Sequence, residues 1–163
     1  MIIITHASTD AQVSAIQHLF REYEADLNIN LDFQHFETEL ATLPGRYGPP
    51  AGALLLALDG EVAAGSVALR KLSAGICEMK RLFVRPSFRG RGLGRRLAWA
   101  IIATAKRRGY RTMRLDTLTR LTAASALYRS LGFVRITPYY KNPLPDVVYW
   151  ELYLTGRSDK SQR

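Results

Sequence analysis

A chain of 163 residues has the length of one domain and can bury about two thirds of its unfolded surface. Apolar residues make up 47% and charged residues 23%, which excludes an intrinsically disordered chain, a collagen and a coiled coil. The net charge of +9 is concentrated, since residues 79–115 hold twelve Lys or Arg and no Asp or Glu, against eleven basic and fourteen acidic residues elsewhere. Such a basic patch implies a polyanionic partner (nucleic acid, a membrane surface or a phosphorylated small molecule) or a solvated face kept for solubility. No apolar run reaches the roughly 20 residues that cross a bilayer, and no basic segment precedes the short apolar stretch at the amino end. A soluble, untargeted, cytoplasmic protein is therefore expected. The single Cys77 has no internal disulfide partner and reads as a small buried hydrophobe.

Residues 1–7 read as a short apolar strand. Thr9 or Asp10 caps a helix running to about Asn28, with Val13, Ile16, Phe20 and Tyr23 near helical spacing. A second helix is predicted over 32–43, where Pro44-Gly45 stops it, and 44–52, with three Pro and three Gly, reads as a loop. Strands over 53–58 and 61–69 are joined by Asp59-Gly60, a pair that tolerates the positive φ angles of a two-residue hairpin turn. A strand over 76–84 leads through Arg85-Pro86 and a Gly-rich loop into a helix over 92–108, whose Leu97, Ala98, Ile101, Ile102 and Ala105 form one stripe. A strand over 111–117, a short helix capped by Thr122 and running through Leu131, and strands over 133–137 and 147–154 follow. The chain thus reads as one domain over 1–154 with a flexible tail over 155–163. The order β α α β β β α β α β β describes an α/β fold, a mixed sheet covered by helices.

The segment Arg89-Gly90-Arg91-Gly92-Leu93-Gly94 joins a strand to a helix. Unpaired amides and the positive dipole end at a helix start attract phosphate, and glycines let the backbone approach it. The loop lacks the Lys-Ser/Thr end of a nucleoside-triphosphate loop. It also lacks the third glycine of a dinucleotide fingerprint, since Arg95 stands three after Gly92 and Leu97 three after Gly94. A second segment, Ala124-Ser125-Ala126-Leu127-Tyr128-Arg129-Ser130-Leu131-Gly132-Phe133, lies about thirty residues on.

With these two segments the chain resembles the GNAT family of N-acetyltransferases, whose acetyl-CoA loop reads Arg or Gln, two residues, Gly, one residue, Gly or Ala; here Arg89, Gly92 and Gly94. The resemblance implies a single-domain acyl-CoA N-acyltransferase fold, a mostly antiparallel sheet of about seven strands splayed between strands 4 and 5 and flanked by about four helices. It implies that Arg89, Gly90, Arg91, Gly92, Leu93, Gly94 and Arg95 hold the coenzyme diphosphate. It further implies that backbone groups of Leu82, Phe83 and Val84 meet the pantetheine arm and thioester oxygen, with Thr117 and Ser125 alongside. Consistently, neither face of strand 76–84 reads as apolar. Strict alternation sets Ile76, Glu78, Lys80, Leu82 and Val84 against Cys77, Met79, Arg81, Phe83 and Arg85, each side mixing charge with hydrophobe. An edge strand with snorkelling Lys and Arg is the other reading.

Acyl transfer to an amine needs a neutral amine, a polarised carbonyl and a proton for the leaving thiolate. An alkyl amine of pKa near 10.4 costs about 4 to 5 kcal/mol to deprotonate at pH 7. Glu78, eleven residues before Arg89 where family members with a glutamate base carry it, is the candidate base; pairing with Lys80 or Arg81 is its other reading. Tyr128, four residues after Ala124, matches the family tyrosine that protonates the sulfur; a core tyrosine on the stripe Ala124, Leu127, Tyr128, Leu131 is the alternative. Where the family carries Asn seven residues before that Tyr, this chain has Leu121, and Thr117 or Thr119 can substitute. Tyr23, Phe33, Tyr139 and Tyr140 fall in regions that line the acceptor pocket in the family, the last two in a Pro-rich loop that looks exposed. His6, His18 and His35 show no metal spacing, and no metal is expected.

The expected reaction is direct acetyl transfer from acetyl-CoA to a primary amine of a small metabolite or amino acid, with a protein amino terminus or lysine second. A non-catalytic coenzyme sensor and a basic nucleic-acid-binding module are the rivals. No nucleic-acid or membrane partner is expected, and dimers are common in the family. The acidic balance outside the basic window suits a cationic acceptor, whereas Lys141 and Arg135 favour a carboxylate.

Overall fold

A computed structural model describes residues 1–154; the tail expected over 155–163 lies outside the described residues. Seven strands, β1 (Ile2–His6), β2 (Ala53–Asp59), β3 (Val62–Ser73), β4 (Ile76–Val84), β5 (Thr112–Leu118), β6 (Val134–Ile136) and β7 (Val147–Tyr153), form one sheet in the order β1-β2-β3-β4-β5-β7-β6. Every pairing is antiparallel except β4 with β5, which is parallel and short. Helices α1 (Asp10–Leu27), α2 (Phe36–Ala41), α3 (Leu93–Arg107) and α4 (Thr122–Ser130) complete the predicted element order.

The local chemistry explains most boundaries. Thr9 and Gln12 form a capping box, each side chain accepting from the other's backbone N–H, and Asn28 ends α1 with a left-handed cap at φ 54°. The second predicted helix is a correction. His35 adopts φ 57° and splits it into a single 3-10 turn (Asp32–Gln34) and the six-residue α2, because a left-handed residue cannot continue a right-handed helix. Thr122 does not cap α4 either; that position is Leu121, and no side-chain bond is made there.

The sheet is covered on both faces. On one, α3 buries Leu93, Leu97, Ala98, Ile101, Ile102 and Ala105 against Val67, Leu69, Cys77, Met79 and Met113. On the other, Ile16, Leu19 and Phe20 of α1 and Phe36 and Leu40 of α2 pack on Leu54, Leu56, Ala68 and Phe83. The basic window does not form one patch. Arg81, Arg85 and Arg89 turn to Glu39, Glu22 and Asp26 beside α1 and α2, and Arg114 to Glu151 of β7, so acids from distant sequence neutralise a third of it.

Candidate active site

The site begins with one irregularity in β4. Between the pairs Ser66↔Phe83 and Ala68↔Lys80 the strand carries an extra residue, and Arg81 adopts φ 59°. A non-glycine residue in this conformation is strained and needs to be held. Arg81 is held: its guanidinium donates to both carboxylate oxygens of Glu39, at 3.1 and 3.2 Å, and lies over the rings of Phe36 and Tyr23.

The bulge has two consequences. It reverses the alternation expected for β4, so that Cys77, Met79, Leu82 and Val84 face α3 while Glu78, Lys80, Arg81, Phe83 and Arg85 face α1 and α2. The mixed faces read from strict alternation are thus corrected to one apolar and one largely charged face, and Lys80 and Arg81, 7% and 4% exposed, do not snorkel. It also coincides with a split. β4 and β5 pair from Ile76↔Thr112 to Glu78↔Arg114, and among the described residues the edge of β4 that faces β5 has no strand partner beyond Glu78.

Two cavities open at this split. The smaller, about 90 Å³, is lined by Tyr23, Leu82, Asp116, Thr117, Leu121 and Tyr128 among others. The larger, about 800 Å³, is lined among others by Arg70, Glu78, Tyr139, Tyr140 and Lys141. Phe33, Gln34, Lys80 and Arg81 line both. At one end of the split, Gly90 and Gly92 take φ 80° and 76° in the turn into α3, conformations that glycine adopts without strain. Among the described residues the N–H groups from Gly90 to Arg95 find no hydrogen-bond partner, the first helical bond being that of Arg96 to the Gly92 carbonyl. A run of free amides at a helix start fits a diphosphate.

The sequence matches the acetyltransferase (GNAT) family over residues 14–133. The chain belongs to this family. An uncharacterized N-acetyltransferase of Schizosaccharomyces pombe is 45% identical over 139 residues, covering 84% of this chain and 85% of that protein. A GNAT-family acetyltransferase of Staphylococcus aureus shares the fold with a TM-score of 0.80 at 20% identity, over 94% of this chain and 99% of that one. A Salmonella typhimurium protein solved with acetyl-CoA superposes with a TM-score of 0.70 at 21% identity, over 96% and 95%. As a GNAT acetyltransferase the chain takes acetyl-CoA as its acyl donor, and the resemblance drawn from its two motifs holds.

Within the GNAT fold, the side chains named from sequence divide. Leu93 is buried in the core, and Arg89 donates to the Val84 carbonyl at 2.9 Å and pairs with Asp26, tying the turn to β4 and α1. Arg91 lies over Phe88 and Arg95 is exposed on α3. Gly94 leaves its surroundings open to within ordinary contact of Leu127 and Val84. Phe83 packs edge-on to Tyr23 on the α1 side, so only its backbone belongs to the split. Thr117 lines the smaller cavity; neither Thr119 nor Ser125 does.

Tyr128 is buried edge-on to Phe133, and among the described residues its hydroxyl has no hydrogen-bond partner. Burial pushes its pKa above the usual phenol value, so the proton stays on. Glu78 is 1% exposed and pairs with neither Lys80 nor Arg81. Its cross-strand neighbour Arg70 donates Nε–H to Oε1 at 2.8 Å, and Tyr139 donates its hydroxyl to Oε2 at 2.6 Å. Burial alone would raise its pKa, but Lys80, Arg70 and the Tyr139 hydroxyl outweigh it and hold the carboxyl below its ordinary value, ionised. Tyr139 and Tyr140 are half-buried rather than exposed, stacked edge to face with Tyr149, and Tyr140 donates to Asp116.

Sequence reasoning missed Arg70, Lys80, Arg81 and Asp116. Their roles arise from cross-strand register and the bulge, for which strict alternation gave no signal. Arg135, named beside Lys141, lies over Trp150 and is not among the residues lining either cavity. Cys77 is fully buried with its thiol pushed up to about 12 by burial, unsuited to nucleophilic work. Among the described residues no group of His, Cys, Asp and Glu is gathered to hold a metal ion.

Proposed function

We propose that this chain moves the acetyl group of acetyl-CoA directly to the primary amine of a small metabolite or amino acid. The observation that carries this reading is the pair of cavities that share a wall at the β4–β5 split, one lined by Tyr128 and the other by Glu78. Free amides from Gly90 to Arg95 take the diphosphate, and the unpaired edge of β4 from Leu82 to Val84 takes the pantetheine arm and supplies N–H to the thioester oxygen. Glu78, ionised and with lone pairs left over beyond Arg70 and Tyr139, receives the proton that the nitrogen sheds as the N–C bond forms. Tyr128, protonated across the working range, gives its proton to the departing sulfur. Tyr23, Phe33, Tyr139 and Tyr140 wall the acceptor.

Tyr128→Phe tests the assignment. Turnover should fall by about 10² or more, the range of a lost general acid, while the acetyl-CoA Kd changes little. Equal losses in both would count against the role.

A further inference from the structure

The walls of the larger cavity carry six basic side chains, Arg46, Arg70, Lys80, Arg81, Arg114 and Lys141, and two acidic ones, Glu39 and Glu78. Three of the six are neutralised: Arg70 by Glu78, Arg81 by Glu39 and Arg114 by Glu151. Arg46 and Lys141 are exposed, and water solvates them. Lys80 is different. It is 7% exposed, no carboxylate lies within ion-pair distance among the described residues, and its ammonium donates only to the Gln34 side-chain oxygen at 3.2 Å. The carboxylates of Asp116 and Glu78 act on it only from beyond ion-pair distance, and burial outweighs them and pulls its pKa down, so the buried ammonium is left short of counter-charge. Neither the uncharged pantetheine arm nor a plain alkyl amine supplies that charge.

We propose that the acceptor is an amine that also carries a carboxylate, and that Lys80 holds that carboxylate. This inference rests on the acetyl-transfer reading above and names its substrate class. Lys80 lines both cavities, so an anion held there sits at the boundary where the acceptor meets the thioester. The excess positive charge repels polyamines and other cationic acceptors, contrary to the balance of charge in the sequence outside the basic window. It also favours the neutral form of a nearby amine, the form that attacks. An aminocarboxylate therefore satisfies the buried cation and meets the chemical requirement together.

The test is a matched series: several α-amino acids, their carboxamides, and the amines lacking the carboxyl group, each assayed with acetyl-CoA by thiol release. The free acids should exceed the other two classes at least tenfold in kcat/KM. Lys80→Met should cut the acid-to-amide ratio at least tenfold and Lys80→Arg should keep most of it, with acetyl-CoA Kd and thermal unfolding confirming an intact fold. If Lys80→Met does not fold, the wild-type preference and the arginine variant decide. Amides or plain amines used as well as the acids, or a ratio that Lys80→Met leaves unchanged, would overturn the inference and leave acetyl transfer standing. Acetyl-CoA binding with no acetylation of any class would overturn the underlying reading, and the inference with it.

Discussion

The turn from Arg89 to Arg95 and the cavity around Glu78 are built in opposite ways. The turn offers main-chain N–H groups from consecutive residues, and its geometry depends on two positive-φ glycines and a helix start. The cavity is made of side chains from β3, β4, β5, α2 and the loop over 137–146, and its buried charged groups are placed by partners on other strands, turns or helices, Glu78 by Arg70, Lys80 by Gln34 and Arg81 by Glu39. A backbone site tolerates changes of side chain but not of conformation; a side-chain site is the reverse. The turn therefore suits a donor of fixed chemistry, and the cavity can be tuned to a particular acceptor.

Mutations can break this contrast in order of effect. After Tyr128→Phe, the next largest loss is expected from Gly92→Ala. A side chain at φ 76° costs about 1 to 2 kcal/mol, so the acetyl-CoA KM should rise roughly tenfold with kcat little changed, although among the described residues no neighbour lies within 4 Å to clash. In the same turn Arg95→Ala should move KM by less than threefold, because that site is read through its amides. An Arg95 effect as large as that of Gly92 would erase the distinction.

The acceptor side responds to charge instead. Glu39→Gln strips the buried Arg81 of its counter-charge and should destabilise the fold by about 3 kcal/mol or more in denaturant unfolding, loosening the bulge with it. Tyr139→Phe removes one hydrogen bond from Glu78 and should lower kcat only a few-fold. Because that bond helps to hold the Glu78 carboxyl low, the acid-side loss of activity should begin at higher pH in this variant. In the wild type Glu78 stays ionised above the ordinary carboxylate range, so any acid limb near neutral pH belongs to the acceptor amine and should move with the amine's own pKa. A limb that ignores the acceptor would contradict the ionisation assigned to Glu78.

The same contrast explains what could be read in advance. The order of elements, the stripe of α3 and the turn were legible because each is local: periodicity, caps and glycines act within a few residues. His35 and Arg81 were not, since nothing in their side chains announces a left-handed backbone; Arg81 is held there by Glu39, Phe36 and Tyr23, all distant in sequence. The misread parity of β4 follows from Arg81 alone. One inserted residue turned two apparently mixed faces into one apolar and one charged. Glu78 was found by its offset from the turn, but its partners Arg70 and Tyr139 come from a register and a loop that spacing does not encode.

A crystal structure of the chain with acetyl-CoA tests the central claim most directly. The account predicts the diphosphate within hydrogen-bond distance of the N–H groups between Gly90 and Arg95, and the thioester at the β4–β5 split between Tyr128 and Glu78. A coenzyme bound elsewhere, with that turn empty and the split closed, would contradict it.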